Sequence, residues 1–195
     1  TDDGADALEP GQRATLRRTL GEAVIAEAHG PVREQMYLAL AALGTTEART
    51  ALLSALDANL SRYVEGGVSR DLSAEVDALT QLRVDLSANR MRSEAVKRRL
   101  IVVSTKYLQL AQRAVERDQV DEQTYTPLVN LVKIVELILN RAVNDFDESG
   151  PRPALHEPFG KKSRDDLQNT SFDEFRLNAS DWLRTLPELD LDIDA

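Results

Sequence analysis

The sequence has no cysteine, only two histidines and nine aromatic side chains among its 195 residues. The lack of cysteine excludes a disulfide framework, Cys-ligated zinc, an iron–sulfur cluster and a thiol nucleophile. No run approaches the roughly 18 apolar residues that a membrane-spanning helix requires, so we expect no membrane partner. No signal peptide is visible, and removal of an initiator Met most simply explains the first residue, Thr1. We therefore expect a cytoplasmic protein.

Motifs for catalysis are also lacking. His29 and His156 occur in no His-x-x-x-His or Glu-x-x-His spacing, so they predict no metal site. We interpret His29 as a charge at the C-terminal end of the first helix. Asp190, Asp192 and Asp194 alternate as in calcium loops, but the glycine and distal glutamate of such loops are missing. With no nucleophile elbow or phosphate-binding glycine loop either, we predict no catalytic residue, no cofactor and no enzyme activity.

Charge is unevenly distributed along the chain, whose net charge is −9. Residues 1–89 carry a net charge of −6, residues 90–117 a net charge of +6, and residues 118–195 a net charge of −9. Every Tyr precedes residue 126, whereas every Phe and the only Trp lie between Phe146 and Trp182. This segregation divides the chain near residue 146 into a body and an extension.

Helical periodicity dominates the body. Apolar residues recur at three- and four-residue steps, and no segment shows the two-residue alternation of a half-buried strand. The pattern predicts six helices, at about residues 11–29, 31–43, 46–63, 72–89 and 92–118, and from residue 126 onward. The pattern fits two alternatives for the fourth and fifth helices: two separate helices, or one bent helix through Asn89 and Arg90.

Caps and breakers place several of these boundaries. Gly44 is predicted to end the second helix in a left-handed conformation, and either Thr45 or Thr46 can cap the third. The dipeptide Thr126-Pro127 predicts the start of the sixth helix, because proline suits the first helical turn. Apolar residues nearly encircle this sixth helix, so we expect it to be the most buried one.

One stretch, residues 31–58, resembles a HEAT-type helical pair. The features that carry the resemblance are Pro31-Val32-Arg33, Ala39 to Leu43, Gly44, Glu47-Ala48, and Ala51-Leu52-Leu53 to Leu56. The resemblance implies an antiparallel pair of helices of the kind used in protein-binding solenoids. It covers about one-seventh of the chain, and an amphipathic hairpin in any helical bundle fits the same pattern.

These observations predict an all-α fold with about six helices, arranged as an irregular bundle or a short HEAT-like stack. Residues 1–145 should form the helical domain. Residues 146–195 should form a Pro-rich, aromatic and acidic C-terminal extension that packs partly on the body, with an end whose composition suits a flexible segment.

The extension combines large apolar side chains with acids, as a segment that docks into a basic-rimmed groove requires. Packing back onto the helical body is the favoured explanation for Phe172, Phe175 and Trp182, whereas the final run of alternating Leu and Asp is more typical of an exposed interaction tail. The predicted protein-binding residues are Phe172, Phe175, Trp182, Leu183, Leu186, Leu189, Leu191 and Ile193.

The basic stretch on the fifth helix is the second candidate surface. Its cations could bind phosphate groups, or they could pair with the acidic helices and the extension. The residues concerned are Arg90, Arg92, Lys97, Arg98, Arg99 and Lys106. Few aromatic residues accompany them for base stacking, which disfavours nucleic acid as a partner.

We predict a non-enzymatic interaction protein, an adaptor, regulator or assembly subunit that binds a protein partner or itself. The alternative is a nucleic-acid-associated component that uses the basic helix, and an enzyme without a recognisable motif is the third possibility. As a further hypothesis, the acidic extension lies across the basic helix and competes with an anionic partner. Deletion of residues 178–195 should then raise affinity for that partner.

Overall fold

A computed structural model describes residues 9–117 and 119–146. The described residues form six α-helices and no strand, which confirms the all-α prediction. The helices are α1 (Pro10–Ala26), α2 (Gly30–Ala42), α3 (Thr46–Gly66), α4 (Leu72–Ser87), α5 (Glu94–Glu116) and α6 (Glu122–Phe146). The predicted extension began at residue 146; Phe146 is the last residue of α6, and residues 147–195 lie outside the described residues.

Helices two apart in the sequence lie side by side. In one layer α3 packs between α1 and α5, and in the other α4 packs between α2 and α6. Consecutive helices join the layers, chiefly through the contacts of α1 with α2, α2 with α3, and α5 with α6. Because short loops connect them, consecutive helices run antiparallel. The HEAT-like segment 31–58 corresponds to α2, its turn and the first half of α3.

Local chemistry explains most helix boundaries. Gly44 has φ +64° and Gly67 has φ +81°, conformations that favour glycine and that end α2 and α3. The Thr45 hydroxyl accepts a hydrogen bond from the Ala48 amide at 3.1 Å, so Thr45 rather than Thr46 caps α3. Asn89 has φ +55°, and the chain resumes helical structure only at Glu94. The fourth and fifth helices are therefore separate.

The predicted start of the sixth helix is wrong by about one turn. α6 begins at Glu122, and Pro127 lies inside it. Asp121 forms the cap, because its Oδ1 accepts hydrogen bonds from the amides of Gln123 and Thr124 at 3.0 and 2.9 Å. The Thr124 side chain and these amides hold the pKa of Asp121 below its usual range. This cap outweighs the backbone hydrogen bond that Pro127 cannot donate.

The interpretation of His29 is also wrong. α1 ends at Ala26, and His29 is instead the residue before α2, where its amide donates to Glu27 Oε1 at 2.7 Å. A charge on His29 would lie at the positive end of the α2 dipole, so it has no stabilising role as a C-terminal cation.

Burial follows the three- and four-residue steps of apolar residues on α4 and α5 but not on α1. The apolar residues that recur at these steps along α5, from Val96 to Ala114, are all buried. In α6 no residue between Leu128 and Leu139 is exposed, as the nearly continuous apolar surface predicts. On α1 only Val24 is buried, and Leu16 is 38% exposed. Among the described helices α1 packs chiefly on α2 and α3, and its apolar face is only partly covered.

Candidate functional site

The predicted basic residues lie on α5 and on the loop that precedes it, and their charges are not equivalent. Lys106 donates to Asp57 on α3 at 2.8 Å, and Arg90 lies 3.8 Å from Asp85 on α4. The first pair joins α5 to α3, as the pairing interpretation predicted, whereas the second joins α4 to the loop that follows it. Lys97 pairs within its own helix, with Glu94 at 3.5 Å.

Arg92, Arg98 and Arg99 are exposed. Neither Arg92 nor Arg99 has an acidic partner among the described residues. Arg98 and Arg99 are adjacent on α5, so the two side chains leave the helix about 100° apart. The six predicted cations are therefore divided, with Arg98 and Arg99 forming a small exposed pair near the start of α5.

This exposed pair borders a groove between α3 and α5. The groove is open to solvent and has a volume of about 540 Å³, within the roughly 300–1,000 Å³ range of ligand clefts. Its lining is mainly aliphatic and comprises Ala95, Val96, Val102 and Val103 from α5, with Thr50 and Asp57 from α3 and the arginines Arg98 and Arg99. We call this feature the α3/α5 groove.

The charge of the α3/α5 groove is positive. Asp57 is its only carboxylate among the described lining residues, and Lys106 compensates it at 2.8 Å. Arg98 and Arg99 add two exposed guanidinium groups to the lining on the α5 side of the groove. An aliphatic floor with cations at its rim suits a segment that carries both apolar and acidic side chains.

A second polar feature lies in the core, where Arg33 and Glu75 form an ion pair. The Arg33 side chain is 2% exposed and that of Glu75 is 0% exposed, and Nε of Arg33 lies 3.0 Å from Oε1 of Glu75. Arg33 also donates to the carbonyl of Ala28 at 2.7 Å and to the Tyr63 hydroxyl at 2.9 Å. One guanidinium thus joins α2 to the α1–α2 linker, to α3 and to α4.

Two tyrosines also donate hydrogen bonds to the Glu75 carboxylate. Tyr63 donates to Oε2 at 2.6 Å, and Tyr37 donates to Oε1 at 3.2 Å. Asn59 donates to the Tyr37 hydroxyl at 2.7 Å and to the carbonyl of Val24 on α1 at 3.1 Å. We call Arg33, Tyr37, Asn59, Tyr63 and Glu75 the buried network; it connects the first four helices.

Burial governs the protonation of this network. It raises the pKa of Glu75 above its usual range, although hydrogen bonds from Tyr63 and Arg33 oppose the shift. Burial and the Glu75 carboxylate raise the pKa values of Tyr37 and Tyr63, so both hydroxyls stay protonated. Burial alone would lower the pKa of Arg33, but Glu75 reverses this effect and raises it. The network is thus an ion pair with hydrogen-bonded tyrosines, enclosed between the helices.

A polar cleft lies at one end of the helices, where the linkers α1–α2, α3–α4 and α5–α6 meet. His29, Arg70, Asp71 and Asp121 are among its lining residues. The described residues contain no group of three His, Asp or Glu side chains that could hold a metal ion. Glu75 is fully buried, so it presents no carboxylate to this cleft.

The buried network was not predicted, although the sequence contains a signal of it. Arg33 and Tyr37 occupy positions i and i+4 of α2, and Asn59 and Tyr63 have the same spacing on α3. Glu75 falls within the apolar face that includes Leu72, Val76 and Leu79. Polar residues that share one helix face with buried apolar residues indicate a buried polar cluster.

The eight residues predicted to bind protein from the extension, Phe172, Phe175, Trp182, Leu183, Leu186, Leu189, Leu191 and Ile193, lie outside the described residues. Neither their packing nor their exposure therefore enters the description of the site.

Family models, curated proteins and solved structures give no match to this chain. No described helix combines the length and the apolar character needed to span a membrane.

Proposed function

We propose that the protein is a non-enzymatic helical interaction protein, an adaptor, regulator or assembly subunit, and that the α3/α5 groove binds its protein partner. The observation that carries the proposal is the combination of an aliphatic lining with Arg98 and Arg99 at the rim. Apolar area contributes affinity, whereas the arginines contribute orientation and selectivity for acidic segments. The arginines at the rim are exposed to a partner, whereas the side chains of the buried network are enclosed.

The arrangement of the helices supports this proposal. Helices that are two apart in the sequence pack side by side and form two layers, as in stacks of helical pairs. Such stacks present extended binding surfaces. The buried network links the first four helices by hydrogen bonds, which should hold α3 in place beside α5. A HEAT-type relationship of residues 31–58 is part of the proposal and would place further pairs beside this one.

The distribution of charge favours protein over nucleic acid as the partner. Lys106 and Arg90 are paired with carboxylates, so fewer cations are available for phosphates than the basic stretch suggests. A stripe for nucleic acid would need several cations along the backbone path, together with aromatic side chains for stacking. The exposed pair Arg98 and Arg99 is better matched to one or two carboxylates of a peptide.

Affinity purification from the native host tests this function. The double variant R98E/R99E should lose a specific protein partner that the wild type retains. The matched control is R18E/R70E, which makes the same charge change at exposed arginines on α1 and in the α3–α4 linker. Loss of a partner from both variants, or recovery of only salt-releasable nucleic acid with the wild type, would contradict the proposal.

A further inference from the structure

We infer that α1 is a lid on the helical body: it opens away from α3 as one unit while α2–α6 stay folded. The lid is separate from the α3/α5 groove, because α3 packs between α1 and α5. It is a conformational device that covers and uncovers one face of α3.

Apolar packing holds α1 weakly. Val24 is its only buried residue, and no residue from Pro10 to Ala23 is buried. Leu16 and Ile25 are 38% and 42% exposed. By contrast, α3 and α4 bury eight residues each. Helices that bury few side chains are the ones that open locally at low free energy.

Hydrogen bonds at the C-terminal end of α1 attach it to α3. Asn59 donates to the carbonyl of Val24 at 3.1 Å, and Arg62 donates to the carbonyl of Ile25 at 2.5 Å. Arg62 also donates to Oδ1 of Asn59 at 2.8 Å, so the two side chains orient each other. We call Asn59 and Arg62 the latch. It satisfies carbonyl groups that have no partner within the helix.

The body side of the hinge is fixed. Arg33 donates to the carbonyl of Ala28 at 2.7 Å, which holds the linker to α2. A Cβ on Gly30 would lie 2.9 Å from Cγ of Asp71, so α2 begins in close contact with the start of α4. The hinge therefore lies before Ala28, next to the last residue of α1. Movement there breaks the latch but leaves the ion pair of Arg33 and Glu75 in place.

α1 covers a face of α3 that carries small side chains. A Cβ on Gly21 would lie 3.7 Å from Cβ of Ala51, so the two helices approach closely at this point. Ala51, Ala55 and Asn59 follow at four-residue steps and share this face of α3. Opening should therefore increase the accessibility of Ala51 and Ala55. Because a helix of 17 residues is marginal in water on its own, α1 should lose helical structure when it detaches.

Hydrogen exchange of the full-length chain, followed by mass spectrometry of its peptides, measures this opening. Relative to their intrinsic rates, the amides of α1 should exchange at least about 100-fold faster than those of α4 and α6. Low concentrations of urea should accelerate exchange in α4 but hardly change it in α1, since opening of the lid exposes little surface. Equal protection of α1 and α4 with the same response to urea would overturn the inference, because α1 would then open only in global unfolding.

A disulfide between α1 and α3 should lock the lid, and the chain has no other cysteine to interfere. The distance of 3.7 Å between the two Cβ positions at Gly21 and Ala51 lies within the range of about 3.5–4.5 Å found in disulfides. In oxidised G21C/A51C, the amides of α1 should exchange at least about tenfold more slowly than in the reduced form, with α4 unchanged. Unchanged exchange on oxidation would show fraying rather than opening as a unit. A disulfide that forms only between chains would assign this face to a second copy. Either result overturns the inference.

A latch variant tests the point of attachment. Arg62→Met removes the hydrogen bond to Ile25 and should accelerate exchange in α1 about fivefold, with α4 unchanged. The matched control is Arg18→Met, the same substitution at an exposed arginine on α1, which should change the rate by less than about twofold. Far-UV circular dichroism of each variant establishes that the helices are intact. Equal acceleration by both variants, or no acceleration by Arg62→Met, would contradict the latch.

Discussion

The buried ion pair predicts an asymmetric response to removal of either charge. The Glu75 side chain is 0% exposed, and it accepts hydrogen bonds from Arg33, Tyr63 and Tyr37. Glu75→Leu leaves the Arg33 guanidinium buried without its counter-ion, and arginine cannot lose its proton. Removing one member of a buried ion pair costs about 3–5 kcal/mol, and two hydroxyls also lose their acceptor. We expect the free energy of unfolding to fall by about 4 kcal/mol.

Arg33→Met should be less costly, because a carboxyl group can take up a proton. Burial already raises the pKa of Glu75, and loss of the guanidinium raises it further. An acid whose folded-state pKa exceeds its unfolded value contributes stability below the unfolded pKa, and this contribution is lost as the pH rises through the folded pKa. The cost of Arg33→Met should therefore be about 3 kcal/mol at pH 7 and smaller at pH 5. The cost of Glu75→Leu should not fall in this range.

The double variant Arg33→Met/Glu75→Leu leaves neither charge unpaired. We expect its cost to be smaller than the sum of the single costs by about 2 kcal/mol or more. Urea unfolding of the full chain, followed by circular dichroism at 222 nm, measures all three values, with an unchanged m-value as the check on the unfolded state. If Glu75→Leu does not fold, Glu75→Gln takes its place in the cycle.

The pair Lys106 and Asp57 is the matched control. Its N···O distance is shorter, 2.8 Å, but its side chains are 43% and 32% exposed. Coupling should therefore be about 1 kcal/mol or less. The reasoning is refuted if the single costs at Arg33 and Glu75 add to the double cost within about 0.5 kcal/mol. It is also refuted if both single costs change equally with pH.

Three further predictions concern stability of the full chain. Thr45→Ala should lower the free energy of unfolding by about 1 kcal/mol, and Thr45→Ser should restore most of it, since only the hydroxyl that accepts from Ala48 matters; urea unfolding of both variants checks this. Burial raises the pKa values of Tyr37, Tyr63 and Tyr107, so stability should be full below pH 10 and fall above it by up to about 1.4 kcal/mol per pH unit per tyrosine. Tyr107→Phe should reduce that slope by about a third, and an unchanged slope in alkaline urea titrations would oppose this account. The buried Ser104 hydroxyl has no hydrogen-bond partner among the described residues, so Ser104→Ala should be neutral or stabilising by about 1 kcal/mol, and a clear loss of thermal stability would show that the hydroxyl is satisfied.

Helix type and most inner faces could be predicted from the sequence because burial follows helical periodicity. On α5, the buried residues from Val96 to Ala114 recur at the three- and four-residue steps that the pattern shows. On α1 the same kind of pattern was misleading, because Leu16 is 38% exposed and only Val24 of this helix is buried. Periodicity identifies an apolar face, but the packing of other elements decides whether that face is buried.

The accuracy of the predicted helix boundaries depended on which local interaction determines each helix end. Gly44 ends α2 as predicted, since its positive φ leaves few alternatives to glycine. The start of α6 was placed at Pro127 because proline is a common first helical residue. In the structure Asp121 caps the helix. Its Oδ1 accepts hydrogen bonds from the amide and the hydroxyl of Thr124, three residues later. A side chain that satisfies free amides outweighs the preference of proline for the first turn.

The candidate site could be predicted only in part. The concentration of positive charge on α5 was evident, but the pairing of Lys106 with Asp57, 49 residues earlier, depends on how α3 and α5 pack. The groove also depends on this packing, because its lining residues come from both α3 and α5. No sequence pattern relates these two helices to each other. The buried network likewise depends on contacts between residues as far apart as Arg33 and Glu75.

Photo-crosslinking in the native host tests the α3/α5 groove most directly, with a photoreactive phenylalanine in place of Val102, which lines the groove. The control carries the same probe in place of Val64, which is 41% exposed on α3 outside the groove lining. If the α3/α5 groove is a protein-binding site, the probe at Val102 should give discrete adducts to a protein partner. These adducts should be lost in the R98E/R99E background and retained with R18E/R70E. Equal adducts from Val64, adducts that ignore R98E/R99E, or crosslinks to nucleic acid alone would contradict the account.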